Sequence, residues 1–289
     1  MQQNVVEMAL VQLLVVVYLH VQVVRLQNRK EYSMYKAFKM DLSDFSQSDI
    51  MDFYSLGQET FSSQKQYVRN SLDKYLSPEG VLQISEVEKE WFPSIKADVF
   101  LSHSHKDEKQ IVAFAGYLSY IGITAFIDSC VWGYANDLLR QLDNAYCVQY
   151  NKPNGGYIYD YDKRNESTAV IHTLLNGALL KMIDSTECLM FIDTPNSIRM
   201  KDVSNGVTNS GWIYSELLMS KYICPKVPNR LMHNCRFDES YSAFNLLVDY
   251  DVDITHLINL SFDDILKAQN GDSCKGTDIL DRLYLKRKS

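Results

Sequence analysis

Short apolar segments alternate with amphipathic helical segments from residue 97 onward. Five of the apolar segments are rich in strand-forming residues: ADVFLS (97–102), ITAFID (123–128), ECLMFID (187–193), NRLMH (229–233) and FNLLVDYD (244–251). Strands that are apolar at nearly every position are typical of a parallel sheet that helices cover on both faces. The sequence therefore predicts an α/β fold with a doubly wound, five-stranded parallel sheet of flavodoxin-like order, 2-1-3-4-5.

Two loops lie at the place where such a sheet binds ligands. In a flavodoxin-like order the topological switch falls between the first and third strands, and ligands enter at the carboxyl ends of these strands. SHSHKDE (102–108) follows the first predicted strand, and DTPNS (193–197) follows the third. The next helix contains SGWIYSE, in which Trp212 and Glu216 are four residues apart and so share one helix face.

Composition excludes some classes of function. The chain has 289 residues and a formal charge of −7, which argues against a nucleic-acid partner because such binding depends on clustered Lys and Arg. Six cysteines are scattered without CxxC spacing, so the sequence predicts neither a disulfide framework nor a zinc ribbon. A reducing, cytoplasmic location fits this pattern.

The chain before the first predicted strand divides into two parts. Residues 1–33 contain a nearly continuous apolar stretch followed by Arg25, Arg29 and Lys30. Three interpretations stay open: an N-terminal membrane anchor, an upstream extension of a reading frame that starts at Met34, or an ordinary hydrophobic helix. Residues 34–93 have helical periodicity, and we expect a helical prefix there, ahead of a domain over 94–289.

The order and spacing of four segments carry a family resemblance. ADVFLSHSHKDE, GITAFID, ECLMFID and SGWIYSELLMS together resemble a Toll/interleukin-1 receptor (TIR) domain of the bacterial kind, with Trp212 and Glu216 as its WxxxE helix. The resemblance covers residues 94–289. It implies an NAD glycohydrolase, or an ADP-ribose cyclase or synthase, that acts in antiphage defence or immune signalling. NAD is then a substrate and not a bound cofactor.

The resemblance also implies partners and leaves an alternative function open. Self-association through TIR–TIR contacts and a downstream effector protein are expected partners. The alternative is a non-enzymatic TIR adaptor that acts through assembly alone.

Glu216 is the candidate catalytic residue. Cleavage of the nicotinamide–ribose bond leaves positive charge at ribose C1, and a carboxylate near that carbon stabilises the transition state. The opposing interpretation is an ordinary solvent-facing helix charge. For Trp212, a wall of the substrate pocket and a core anchor are both open interpretations, since an indole buries a large area wherever it occurs.

The resemblance implies that further residues line the nucleotide pocket. These are Ser102, His103, Ser104, His105, Lys106, Phe126, Asp128 and Trp132. Ser104 and Asp107 also have the spacing of a capping box, which explains part of the loop without a function. Phe126 is equally compatible with a core position at the end of its strand.

Two other features complete the prediction. HSHKDE is close to the HxHxDH zinc run of metallo-β-lactamase-like hydrolases, but Glu108 stands in place of the third histidine and we expect no metal.

Residues 129–166 are much longer than the corresponding BB loop of TIR domains. They contain a helical segment (ANDLLRQLDNAYC) and a tyrosine-rich loop, for which a lid, a specificity loop and an assembly surface remain alternatives.

Overall fold

The computed structural model describes residues 34–64, 75, 83–127, 129, 135–152, 155–200, 205–228, 250–269 and 274–286. The strands are β1 (Lys36–Asp41), β2 (Val99–Ser102), β3 (Ala125–Phe126), β4 (Val148–Asn151), β5 (Tyr157–Tyr159), β6 (Cys188–Ile192), β7 (Arg199–Met200), β8 (Asn205–Thr208), β9 (Tyr250–Asp253) and β10 (Ile258–Ser261). The helices are α1 (Gln47–Gln64), α2 (Ile84–Trp91), α3 (Glu108–Tyr120), α4 (Ala135–Tyr146), α5 (Tyr161–Ser185), α6 (Gly211–Tyr222), α7 (Phe262–Gln269) and α8 (Thr277–Tyr284).

A five-stranded sheet in the order β10-β1-β6-β2-β3 forms the centre of the fold, and all of its pairings are parallel. The predicted α/β class and five-stranded parallel sheet are confirmed. Strand β2 has β3 on one side and β6 on the other, so the chain winds in opposite directions from β2. The boundary between β2 and β6 is therefore a topological switch point, between the first and third strands that the sequence predicts.

The prediction that residues 34–93 form only a helical prefix is wrong for β1. This strand lies between β6 and β10 in the middle of the sheet, and its residues Phe38 and Met40 are fully buried. The Phe38 ring stacks on Tyr284 of α8 with ring centroids 6.1 Å apart. Residues 36–41 are therefore an integral part of the α/β fold.

The strands predicted after β6 also need correction. Residues 229–233 and 244–249 lie outside the described residues. Residues 250–253 do form a strand, but β9 pairs antiparallel with β8 in a separate three-stranded sheet with β7. The remaining parallel strand of the central sheet is β10, which begins at Ile258 and pairs with β1.

Helices α1 and α3 pack at very short range through two glycines. A Cβ atom on Gly116 would lie 2.1 Å from the carbonyl oxygen of Phe53, and one on Gly57 would lie 2.0 Å from that of Val112. Real Cβ atoms do not approach so closely, so this helix pair requires glycine at both positions. The contact attaches the N-terminal helix α1 to the helix that follows β2.

Residues 135–185 form a module of two helices and a hairpin. Helix α4 agrees with the predicted helical segment, and β4 and β5 form an antiparallel pair whose turn contains Gly155 and Gly156 at positive φ. The following helix α5 begins at Tyr161, where Asp160 caps it by accepting a hydrogen bond from the Lys163 amide.

Buried Asp143 holds α4 against α5. It accepts hydrogen bonds from Arg164 Nε at 2.9 Å and from Ser167 Oγ at 2.6 Å. Burial raises the pKa of the neighbouring Cys147 thiol, which donates to Ser167 Oγ at 3.7 Å. This module therefore has its own polar anchor beside the parallel sheet.

Residues 1–33 lie outside the described residues. Among the helices that the structure does describe, none combines the length and the apolar character needed to cross a membrane.

Candidate active site

Glu216 lies on the buried face of α6. Residues Ile213, Glu216, Leu217 and Ser220 are buried at helical spacing, and Glu216 is only 2% exposed. Ser210 caps the helix, with its hydroxyl accepting the Ile213 amide at 3.3 Å. The interpretation of Glu216 as a solvent-facing charge is therefore wrong, because this carboxylate faces the interior of the protein.

Ser102 connects the carboxylate to the end of β2. Its hydroxyl donates a hydrogen bond to Glu216 Oε2 at 2.5 Å, although the two residues are 114 positions apart in the chain. Ser102 is fully buried and is the last residue of β2. A buried carboxylate is costly unless hydrogen bonds compensate for lost hydration, and the Ser102 donor also fixes its orientation. The Glu216 carboxylate thus lies at the carboxyl end of β2, beside the switch point.

Trp212 is half-buried and packs against the hydrophobic core. Its indole ring lies nearly parallel to the imidazole of His172 on α5, with centroids 5.8 Å apart and planes at 25°. One face of the indole is therefore covered by a neighbouring helix. This contact supports the role of an anchor between α5 and α6.

The loop after β2 contains two histidines in different environments. His103 is buried, with Nδ1 3.3 Å from the Leu101 carbonyl oxygen and Nε2 3.2 Å from Ser129 Oγ. Because a carbonyl can only accept, Nδ1 carries a proton in this arrangement, and in the neutral ring Nε2 accepts from the Ser129 hydroxyl. His105 is exposed, and its ring centroid lies 5.9 Å from that of His103.

The remaining loop residues divide between local structure and exposed charge. Ser104 caps the 3-10 turn at His105–Asp107, and its hydroxyl accepts the Lys106 amide at 3.4 Å. The Lys106 side chain is exposed. Ser104 therefore has the capping role that the sequence also allowed, while His105 and Lys106 have side chains accessible to a ligand.

The other predicted pocket residues are Phe126, Asp128 and Trp132. Phe126 is fully buried, and its ring packs on Phe100 with centroids 5.4 Å apart, which supports the core interpretation. Asp128 and Trp132 lie outside the described residues. Among the described pocket candidates, Ser102 and Glu216 are in direct contact, and His103 is the next residue after Ser102.

Asp107 joins the loop after β2 to the loop after β6. Its two carboxylate oxygens accept hydrogen bonds from Thr194 Oγ1 at 2.6 Å and from Asn196 Nδ2 at 2.7 Å. From the sequence, Asp107 is a candidate cap and a member of the zinc-like HSHKDE run, but its contact with the loop after β6 was not predicted. Two features of the sequence indicate this contact. Asp107 lies in the loop after β2, and the loop after β6 contains the hydrogen-bond donors Thr194 and Asn196.

Replacing Asp107 with alanine is expected to loosen the loop after β6 without unfolding the sheet. Loss of the two bonds costs about 1 kcal/mol, so backbone amides of 194–198 should exchange with deuterium roughly fivefold faster. Hydrogen-exchange mass spectrometry measures this, with peptides from α5 as the internal control. Unchanged exchange at 194–198 would contradict the role of Asp107.

Lys39 and Asp193 form an ion pair that the sequence analysis missed. Lys39 Nζ lies 2.9 Å from Asp193 Oδ2, and the side chains are 21% and 25% exposed. Lys39 belongs to β1, and Asp193 follows β6 directly. Since 34–93 was expected to lie outside the sheet, no residue from it was considered for the site.

A second ion pair attaches α6 to the end of β9. Lys221 Nζ donates to Asp253 Oδ2 at 2.7 Å, while the Thr255 hydroxyl and amide donate to Asp253 Oδ1. Burial acts to raise the pKa of the Asp253 carboxyl, but the hydrogen bonds from Lys221 and Thr255 outweigh it and lower the pKa to about 2. The helix that carries Glu216 is thus fixed near its carboxyl end.

This pair predicts a specific response to acid. Because the pKa of Asp253 falls from 3.8 to about 2 on folding, its stabilisation is fully present above pH 4 and disappears as the pH falls from about 4 to 2. The variant Asp253→Asn should melt below wild type at pH 7, and the difference should shrink toward pH 2.5. Thermal denaturation of both proteins across this range tests it. A difference that stays constant with pH would contradict the assignment.

Among the described residues, no group of three His, Cys, Asp or Glu side chains is arranged to hold a metal ion. Compared with models of known protein families, with curated proteins and with solved structures, the chain matches none.

Proposed function

We propose that this protein cleaves the bond between nicotinamide and ribose in NAD, with Glu216 as the catalytic carboxylate. The observation that carries the proposal is the buried Glu216 carboxylate, oriented by Ser102 at the carboxyl end of β2. Ligands of parallel α/β sheets bind at this edge, next to a switch point. A buried carboxylate held in a fixed orientation by a hydrogen bond is suited to stabilise positive charge on a substrate.

The order of elements supports a TIR-like, flavodoxin-like assignment. The three predicted strands β2, β3 and β6 have the neighbour relation 2-1-3, and α6 with its WxxxE pattern follows the third strand. Beyond β6 the strand order departs from the flavodoxin-like order, because β1 lies between β6 and β10 in the sheet. The neighbour relation of β2, β3 and β6, where Ser102 lies, is the part of the sheet that agrees with the flavodoxin-like order.

The reaction follows from the charge that bond cleavage creates. Nicotinamide leaves as a neutral molecule and needs no general acid, while C1 of the ribose becomes positively charged. The Glu216 carboxylate stabilises this oxocarbenium-like state, and Ser102 holds the carboxylate in position. Attack by water gives ADP-ribose and one proton, and attack by the adenine N1 of the same molecule gives a cyclic ADP-ribose.

The biological role that we propose rests on the TIR resemblance. Cleavage of NAD would serve antiphage defence or immune signalling, either by depleting NAD or by producing a signal for a downstream effector protein. Self-association through TIR–TIR contacts would regulate the activity.

Incubation of the purified protein with NAD tests the proposal. Nicotinamide, ADP-ribose and cyclic products are separated by chromatography over a range of protein concentrations, and light scattering follows self-association in the same samples. We expect nicotinamide release that rises as the protein assembles. Assembly without nicotinamide release, even in the presence of an activating partner or phage trigger, would favour the non-enzymatic adaptor.

A further inference from the structure

Four residues form a row across the central sheet near its carboxyl edge. Lys39 of β1 is in register with Asn259 on one side and with Phe191 on the other, and Phe191 is in register with Ser102. Residues in register on neighbouring strands direct their side chains to the same face of a sheet. Lys39 therefore lies on the face where Ser102 contacts Glu216.

The distance between Lys39 and Ser102 matches the size of a nucleotide. Their strands are separated only by β6, and neighbouring strands are ~4.8 Å apart, so the two backbones are about 10 Å apart. The long side chain of Lys39 is partly buried, and its ammonium group contacts Asp193 just beyond β6. The positive charge of Lys39 thus lies at the same edge of the sheet as the Glu216 carboxylate, one to two strands away from it.

In NAD the ribose that carries nicotinamide on C1 carries the diphosphate on C5. A cation near the carboxylate that acts at C1 is therefore well placed to bind the diphosphate. Lysine binds phosphate oxygens through charge-assisted hydrogen bonds, and its ammonium group can exchange a carboxylate partner for a phosphate partner.

We propose that Lys39 binds the diphosphate of the dinucleotide and that Asp193 competes with the diphosphate for its ammonium group. The identity of the dinucleotide as NAD rests on the proposed function. Binding of the diphosphate then replaces the ion pair between Lys39 and Asp193. Removing either partner should change nucleotide affinity, but in opposite directions.

This opposition provides the test, with ADP as the probe and titration calorimetry of the full chain as the measurement. Lys39→Gln should weaken ADP binding at least tenfold, because it removes a charged donor. Asp193→Asn should strengthen ADP binding severalfold, because it frees the ammonium group and removes a repelling carboxylate. Lys181→Gln is the matched control, since Lys181 of α5 pairs with Glu88 of α2, and breaking this ion pair should leave ADP affinity unchanged.

Cleavage assays separate this inference from the proposed function. Lys39→Gln should slow nicotinamide release from NAD at low substrate concentration, but it should not slow release from nicotinamide riboside, which has no diphosphate. Opposite shifts in ADP affinity without any nicotinamide release would support the diphosphate site and contradict the proposed function. Equal weakening by Lys39→Gln and Asp193→Asn, or no ADP binding by wild type, would overturn the inference even if NAD is cleaved.

Discussion

Replacing Glu216 with glutamine is expected to abolish nicotinamide release from NAD while the protein remains folded. Glutamine has nearly the same shape and can still accept the hydrogen bond from Ser102. It lacks the negative charge that, in the proposed mechanism, stabilises the developing positive charge at C1. Loss of one preorganised electrostatic group typically costs 10²- to 10³-fold in rate, so we expect a decrease of at least about 10²-fold. Initial rates at saturating NAD measure this effect.

Glu187 provides a matched control for that substitution. It is also buried, at 4% exposure, and its carboxylate accepts a hydrogen bond from the Tyr284 hydroxyl at 3.2 Å. However, it precedes β6 and so lies at the amino edge of the sheet, opposite Glu216. Glu187→Gln should lower thermal stability but leave the rate per folded molecule unchanged. A rate for Glu216→Gln within about threefold of that for Glu187→Gln would contradict the catalytic role.

The largest expected effect on stability comes from Gly116→Ala. The added methyl group would lie 2.1 Å from the Phe53 carbonyl oxygen and 2.7 Å from the Gly57 amide nitrogen, both of which belong to the backbone of α1. Helices α1 and α3 must therefore separate, and the core between them loses contact. Overpacking of this kind costs about 3 kcal/mol, which corresponds to a decrease of roughly 6 to 12 °C in melting temperature.

Gly177→Ala is the control for this substitution. Gly177 is in the interior of α5, and no atom lies within 4 Å of its added methyl group. Alanine is the better helix former by about 1 kcal/mol, so this variant should melt at the same or a higher temperature than wild type. If Gly116→Ala and Gly177→Ala melt alike, the close packing of α1 on α3 is contradicted. Thermal denaturation followed by circular dichroism gives both values.

The strands and helices around the switch point could be predicted because the residues that indicate each of them are close together in the chain. The apolar segments of β2, β3 and β6 have no charged residue within the strand, and the helical spacing of α3 and α6 is regular. Gly122 follows α3 with a positive φ of 84°, a conformation that favours glycine and that is typical of a helix end. The resemblance indicates Glu216 of α6, and this residue is buried beside the end of β2.

Strand β1 could not be recognised because its signal depends on distant partners. Lys36 and Lys39 interrupt the apolar pattern, which is unusual in a central strand. The structure accommodates them because Lys36 Nζ donates to the Tyr284 carbonyl and Lys39 pairs with Asp193, both far along the chain. The same limit applies to the hydrogen bond between Ser102 and Glu216. By contrast, Gly155 and Gly156 in the turn of the β4–β5 hairpin are a local signal of that turn in the sequence.

The most direct test of the central claim compares wild type with Glu216→Gln when both have bound nucleotide. ADP affinity is measured first by calorimetry, and nicotinamide release from NAD is then followed at concentrations where both proteins are equally occupied. We predict nicotinamide release by wild type and none above background by Glu216→Gln, at equal ADP affinity. Equal release by the two proteins, or no release by wild type in its assembled form, would contradict the account.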